Sequence, residues 1–316
     1  MAEPVHVLAV ARLSPLLMPQ LEAAFKLHVL PDLTPEALAQ VAPLVRGIAG
    51  SGESKVPGAL LAQFPALELV SIMGVGYDGV DVAAAKAKQV MVTHTPNVLN
   101  DDVADLALGL MLSAARQLPA ADRFVRAGLW LQGNMPLARK MSGARVGIVG
   151  MGRIGQAIAQ RALAFNMQVS YTARSEKPDL PFAFLSTVEA LAEASDFLVV
   201  ITPGGAGTRK LIDARVLKAL GPKGFLVNVA RGSVVDEQAL IEALENGTIA
   251  GAGLDVFEDE PRVPERLLAL HKVVLTPHIG SATAATRQAM ADLAFNNLAS
   301  HFAGRPVLTP VPECQT

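Results

Sequence analysis

The sequence predicts an α/β fold in two domains, a doubly wound parallel sheet inserted into a smaller α/β domain. Three observations predict it. Short apolar runs alternate with helical patterns along nearly the whole chain. Most of these runs are continuous rather than alternating, as in strands covered on both faces. A helical pattern from about 283 to 303 has no strand after it, which suits a chain returning to the domain in which it began.

The elements follow in order. VHVLAV (5–10), RGIAG (46–50), LELVSIM (67–73) and VMVTH (90–94) read as strands, with helical patterns such as PLLMPQLEAAF and DVAAAKAKQ between them. Thr95-Pro96-Asn97 breaks the pattern. Asn100 or Asp101 is then placed to cap a long helix, DDVADLALGLMLSAARQL, which should end near Pro119. That helix is more apolar than one domain face requires. It is expected to serve a homodimer, the alternative being burial within one chain. Trp130 reads as a core anchor or as a pocket wall reaching across a dimer. Six further strands follow: ARVGIVG (144–150), QVSYTA (168–173), DFLVVI (196–201), GFLVNVA (224–230), GAGLDV (251–256) and VVLTP (273–277).

The bulk numbers exclude several classes. At 316 residues, 51% apolar and 18% charged, the chain is long enough for two domains and too apolar for disorder. A net charge of -2 leaves no footprint for nucleic acid or an acidic membrane. With no run of eighteen apolar residues and no signal-peptide pattern at MAEPVHVLAVARL, a cytoplasmic protein is expected. Cys314 is the sole cysteine, so no intramolecular disulfide can form. It is expected to be a bystander in a frayed tail rather than a reactive thiol. His6, His28, His94, His271 and His301 form no HxxxH or HExxH pattern, so no metal is expected, and they read as structural or solvated.

Gly150-Met151-Gly152-Arg153-Ile154-Gly155 joins the apolar run RVGIVG to a helical pattern. In this strand–turn–helix setting the first glycine permits a tight turn. The second allows close approach of a pyrophosphate, and the third lets helix and strand pack closely. The helix N-terminus offers free N–H groups to the phosphates. The fold expected is a Rossmann-type sheet (99–287) inserted into a smaller flavodoxin-like α/β domain (1–98 and 288–316), to which substrate binding is assigned. At the end of the next strand, where an NAD site usually places an acid, the chain reads Tyr171-Thr172-Ala173-Arg174-Ser175. A cation and a hydroxyl there suit the 2′-phosphate of NADPH, with NADH the weaker alternative.

Arg231, Glu260 and His278 stand in VNVARGSVVDE, GLDVFEDEP and LTPHIGS, each opening on a strand-like run. A guanidinium suits a planar carboxylate, and an imidazole can donate a proton to a carbonyl oxygen. A neighbouring carboxylate keeps that imidazole charged. Together with a hydride source, these are the needs of a carbonyl reduction. Met73-Gly74-Val75-Gly76-Tyr77-Asp78 follows a strand and could present backbone N–H groups to a carboxylate. Ser51-Gly52, after another strand, is expected to line the same site.

From about Val70 to Thr286 the motifs GVGYDGVD, GMGRIG, VNVARGSVVDE, GLDVFEDEP and TPHIGSAT resemble those of the D-isomer-specific 2-hydroxyacid dehydrogenases. The nearest group is similar to the NADPH-dependent glyoxylate/hydroxypyruvate reductases, including hydroxyphenylpyruvate reductases. The resemblance implies that Arg231 binds the substrate carboxylate and polarises its 2-keto group, that His278 is the general acid, and that Glu260 pairs with it. It implies Asp255 at the nicotinamide amide, and cofactor contacts at Thr202, Pro203, Thr208, Val229, Ala230, His278 and Gly280. It puts Val75 and Gly76 at the substrate. Ile72 stands where phosphoglycerate dehydrogenases carry an arginine, and no regulatory extension is expected, so a non-phosphorylated keto acid is implied. A bulkier substrate such as hydroxyphenylpyruvate is the second reading. A nucleotide-sensing, corepressor-like binding protein is the third.

Overall fold

Residues 3–315 are described by a computed structural model in which the chain forms two units. One ends its first segment at Leu99 and takes the chain up again at Thr283. The other is Asn100–Ala282. Among the described residues no helix is long and apolar enough to cross a membrane.

The discontinuous unit is built on five strands, β1 (His6–Ala9), β2 (Lys26–Val29), β3 (Val45–Ser51), β4 (Leu69–Met73) and β5 (Met91–Thr93). All pair in parallel, in the order β2-β1-β3-β4-β5. This is the flavodoxin-like order. Every residue of β4 is buried, as an apolar run covered on both faces must be. One face packs Ile48, Val70 and Val92 with Phe64 and Leu61. The helix Ala284–Phe302 packs against β4. Its Ala294 carbonyl accepts a bond from the Ser71 hydroxyl at 2.9 Å, and Leu298 and Phe302 crowd the bare Cα of Gly47. Beyond that helix the chain stays packed: Val311 is fully buried and Cys314 contacts the same core. The expectation of a frayed tail at Cys314 is corrected accordingly. The strand β2 has no counterpart among the expected elements, because KLHV sits at the sheet edge with no buried residue and so lacks an apolar run.

The inserted unit carries seven strands, β6 (Arg145–Val149), β7 (Gln168–Thr172), β8 (Ala183–Phe184), β9 (Phe197–Val200), β10 (Phe225–Asn228), β11 (Gly251–Leu254) and β12 (Val273–Leu275). All are parallel, in the order β12-β11-β10-β9-β6-β7-β8. The chain order reverses between β6 and β9, the switch point at which doubly wound sheets bind their ligands. The edge strand β8, two residues long with neither buried, is likewise absent from the expected strands.

The helix Asn100–Arg116 packs on the helix Arg153–Ala164 and across β10, β11 and β12. It buries Val103, Ala104, Ala107, Leu108, Leu110 and Met111, and a Cβ on Gly253 would stand 2.9 Å from that of Leu110. Much of its apolar surface is thus buried within one chain, the alternative to a dimer role. The helix ends at Arg116, near Pro119 as expected. Gln117 turns through the left-handed region (φ 52°), and Pro119 sits in the first turn of a second helix, Leu118–Arg126. Trp130 follows in a short turn with 65% of its surface exposed, so it is no core anchor.

Candidate active site

Every parallel strand of the inserted unit delivers its C-terminal end to one edge of the sheet, and the expected residues lie there. The turn after β6 carries the three glycines, and each does a different job. Gly150 has φ 108°, and a Cβ there would meet the Ile201 carbonyl oxygen at 2.7 Å. A Cβ at Gly155 would fall on the Gly150 carbonyl oxygen, so helix and strand close only because it is absent. Nothing stands near a Cβ placed on Gly152, the residue that opens the helix Arg153–Ala164. The space beside it is open to a ligand. The residues present therefore fit a dinucleotide's pyrophosphate, held at the N-terminus of a twelve-residue helix with Arg153 and Ile154 in its first turn. The Gly150 N–H donates to the Thr172 carbonyl at 2.9 Å, which ties the turn to the end of β7. Arg174 and Ser175 are exposed just beyond that end. After β9, the Thr208 hydroxyl donates to the Pro203 carbonyl at 2.7 Å and closes the loop that begins at Thr202. Val229 and Ala230 follow β10 and are buried.

Three residues past β10 stands Arg231. Its backbone is set by Asn228, almost wholly buried, whose side chain accepts from the Ala230 N–H (3.1 Å) and donates to the Arg231 carbonyl (3.0 Å). Gly232 has no room for a side chain, because a Cβ would fall on the Phe257 carbonyl group. That close approach joins the Arg231 loop to the loop carrying Glu260.

His278 stands three residues past β12, in the left-handed region (φ 52°). Asp255 over-determines this conformation. Its backbone carbonyl accepts from the His278 N–H at 2.9 Å. Its buried carboxylate accepts from the Thr276 hydroxyl (2.7 Å) and from the Ile279 and Gly280 N–H groups (2.8 Å each). A carboxylate offers about four lone-pair sites. Three are taken by the chain itself, so Asp255 sets the loop, a role that the expected contact with a nicotinamide amide did not include.

The His278 Nδ1–H donates to Glu260 Oε2 at 2.7 Å, and Glu260 Oε1 accepts from the Phe257 N–H at 2.9 Å. Burial pushes the Glu260 carboxyl up. The bonds from His278 and Phe257 and the charges of His278 and Arg231 outweigh it, leaving the group below its ordinary value. The carboxylate is therefore charged at neutral pH. The imidazole bound at Nδ1 leaves Nε2 as its other ring nitrogen. Such an arrangement can hand a proton to an oxygen, with a guanidinium close enough to act on the same carboxylate.

In the discontinuous unit, Ser51 ends β3 and pairs with Met73, the end of β4. Their following loops touch: a Cβ on Gly74 would meet the Gly52 Cα at 2.8 Å. Ser51-Gly52 and Val75-Gly76 are thus brought side by side. His94, just after β5, has no functional context in the sequence. It is buried, and its Nδ1–H donates to the Val75 carbonyl at 3.0 Å. A partner in backbone nineteen residues away leaves no signal in sequence spacing. His6 and His28 likewise pair with one another, ring nitrogens 3.1 Å apart.

Comparison with known proteins identifies the family. The model of the D-isomer specific 2-hydroxyacid dehydrogenase NAD binding domain matches residues 108–280. A hydroxyphenylpyruvate reductase of Plectranthus scutellarioides is 46% identical, covering 98% of this chain and 99% of its own. A glyoxylate/hydroxypyruvate reductase A of Arabidopsis thaliana is 50% identical over 84% of this chain and 85% of its own. Among solved structures, an NADPH-dependent glyoxylate/hydroxypyruvate reductase of Sinorhizobium meliloti, in complex with NADP and malonate, superposes with a TM-score of 0.92. It is 45% identical and covers 99% of this chain and 98% of its own. The ordered trio, the glycine turn and these matches together place the chain in the D-isomer specific 2-hydroxyacid dehydrogenase family.

Proposed function

We propose that this protein reduces small 2-keto acids, glyoxylate and hydroxypyruvate first, to D-2-hydroxy acids with NADPH as hydride donor. The observation that carries the reading is the His278–Glu260 pair at 2.7 Å, with the Arg231 charge acting on the same carboxylate. It lies at the sheet edge that bears the glycine turn. When bound, the dinucleotide supplies a hydride to the keto carbon. Gly150, Gly152, Arg153, Ile154 and Gly155 would hold its pyrophosphate, with Thr202, Pro203, Thr208, Val229, Ala230 and Gly280 along the same edge. Arg174 and Ser175 would take the 2′-phosphate, and no acid stands at the tip of β7 to oppose it.

The remaining chemistry belongs to side chains. Arg231 grips the substrate carboxylate and polarises the keto oxygen. His278 gives that oxygen a proton from Nε2, and Glu260 stabilises the imidazolium at Nδ1 until the proton leaves. One hydride and one proton add across the C=O bond, yielding the alcohol. Recognition of the carboxylate is assigned also to the backbone of Ser51, Gly52, Val75 and Gly76. The inserted unit is thereby the dinucleotide domain and the discontinuous unit the substrate domain.

A homodimer is part of the reading. Within the inserted unit, Leu118, Val125, Leu129, Trp130, Leu131 and Leu137 expose large apolar side chains in one stretch of sequence, Leu131 and Leu137 almost completely. Such a run suits a second copy of the same chain.

The test is a substrate panel. Purified protein should oxidise NADPH with glyoxylate and hydroxypyruvate, and hydroxyphenylpyruvate belongs in the panel because a 46% identical relative bears that name. Tight NADPH binding with no turnover on any keto acid would favour a nucleotide-sensing protein and overturn the reading.

A further inference from the structure

We infer that His94 is a positioning residue for the substrate carboxylate, acting through the peptide group between Val75 and Gly76. This rests on the assignment of that loop to the carboxylate. The peptide group is planar and trans, so its C=O and N–H point to opposite sides. Fixing one aims the other. The His94 Nδ1–H donates to the Val75 carbonyl at 3.0 Å. A carbonyl only accepts, so Nδ1 carries the proton. The Gly76 N–H belongs to the same plane and therefore faces away from His94. Among the described residues no protein acceptor takes it. Glycine at 76 leaves no side chain beside that donor.

The brace behind this bond is built in layers. His94 is buried, and its backbone is clamped at both ends by Thr309. The His94 N–H donates to the Thr309 carbonyl at 3.2 Å, and the Thr309 hydroxyl donates to the His94 carbonyl at 2.6 Å. Thr309 is in turn held by the fully buried Asn297, whose amide accepts from the Leu308 and Thr309 N–H groups (2.9 and 3.0 Å) and donates to the Thr309 hydroxyl (2.8 Å). The imidazole lies edge-on to the Tyr77 ring, centroids 5.2 Å apart at 87°. The Tyr77 hydroxyl donates to the Glu313 carboxylate at 3.0 Å. On the other side, the Thr95 N–H donates to the Gly74 carbonyl at 2.8 Å. Both ends of the Gly74–Tyr77 loop are thus fixed. Through these bonds the segment after the last helix sets the aim of one carboxylate donor.

Three variants with wild type test this. His94→Phe keeps a ring against Tyr77 and loses the donor. His94→Asn offers an amide N–H at about the place of Nδ1–H. Tyr77→Phe keeps the ring and loses the Glu313 bond. Steady-state kinetics should show His94→Phe raising the keto-acid KM about tenfold, with kcat within about twofold and the NADPH KM unchanged. Calorimetry with malonate, an unreactive carboxylate, in the presence of NADP should show the same loss. His94→Asn should recover most of it, and Tyr77→Phe should lose about threefold. Wild-type malonate affinity in His94→Phe overturns the inference. So does a His94→Asn no better than His94→Phe, since a purely structural role would not follow the donor. Malonate binding by wild type without keto-acid turnover would sink the reductase reading and leave the malonate series to decide His94. Binding of neither would sink both.

Discussion

At the scale of single residues, the pair His278–Glu260 is asymmetric. Glu260 is anchored twice, by Phe257 and by His278, and its carboxyl lies below the ordinary range. Folding favours its charged form. That contribution is therefore complete above the ordinary carboxyl value and is lost as pH falls through the lower folded one. The pair consequently stays intact throughout the neutral range. His278→Ala should lower kcat by about 10²–10⁴-fold in a stopped-flow or steady-state assay, with the NADPH dissociation constant nearly unchanged. Retention of most activity would remove His278 from the proton-donor role. Arg174 lies apart from this chemistry, exposed after β7. Arg174→Asp should move cofactor preference toward NADH, read as the ratio of kcat/KM values. An unchanged ratio would place the 2′-phosphate contact elsewhere.

At the scale of elements, the turn after β6 separates folding from binding. A methyl at Gly155 would fall on the Gly150 carbonyl, whereas one at Gly152 meets nothing. Gly155→Ala should thus lower the melting temperature by several degrees, on the order of the 1–3 kcal/mol that overpacking costs. Gly152→Ala should melt like wild type and weaken NADPH binding, seen by fluorescence titration. Equal effects of the two would contradict the division of labour. A second element carries the clearest pH dependence. Burial lowers the pKa of both His6 and His28, with Lys26 acting on both and His6 also on His28. The unfolded chain therefore binds protons more readily than the folded one. Stability from the β1–β2 edge is fully present above the ordinary histidine value of about 6.5 and is lost as pH falls below it. Chemical denaturation at pH 7 and pH 5 should show a smaller drop for His28→Gln than for wild type. Equal drops would show that the pair is not responsible.

At the scale of the whole molecule, the stretch between Leu118 and Leu137 gathers six exposed large apolar side chains that a single chain leaves uncovered. Leu131→Asp should convert a dimer to a monomer in light scattering, because a charge would be buried without a partner. A wild-type monomer would dismiss the proposed dimer outright. The same stretch shows where apolarity misleads. It distinguishes what avoids water from what does not, but not core from interface. So Trp130, readable as a core anchor or as a pocket wall, is exposed, while the helix Asn100–Arg116, readable as an interface or as buried in one chain, buries much of its surface within the chain.

Much else is legible. The six expected strands of the inserted unit announce themselves mostly as apolar runs, β12 at the sheet edge included, whereas the edge strand β2 has no such run and β8 is only two residues long. Local order likewise makes the glycine turn and the trio readable, since each residue stands a few positions beyond a strand end. By itself, then, the sequence determined the α/β class, the strand-end positions of the chemistry and the types of group available. Only the tertiary structure decided how those groups are held: Asp255 engaged with the His278 loop, Gly232 pressed to Phe257, and His94 on the Val75 carbonyl. Each is a contact with backbone distant in the chain. Backbone groups are the same at every position, so no residue type marks in advance which one will be met.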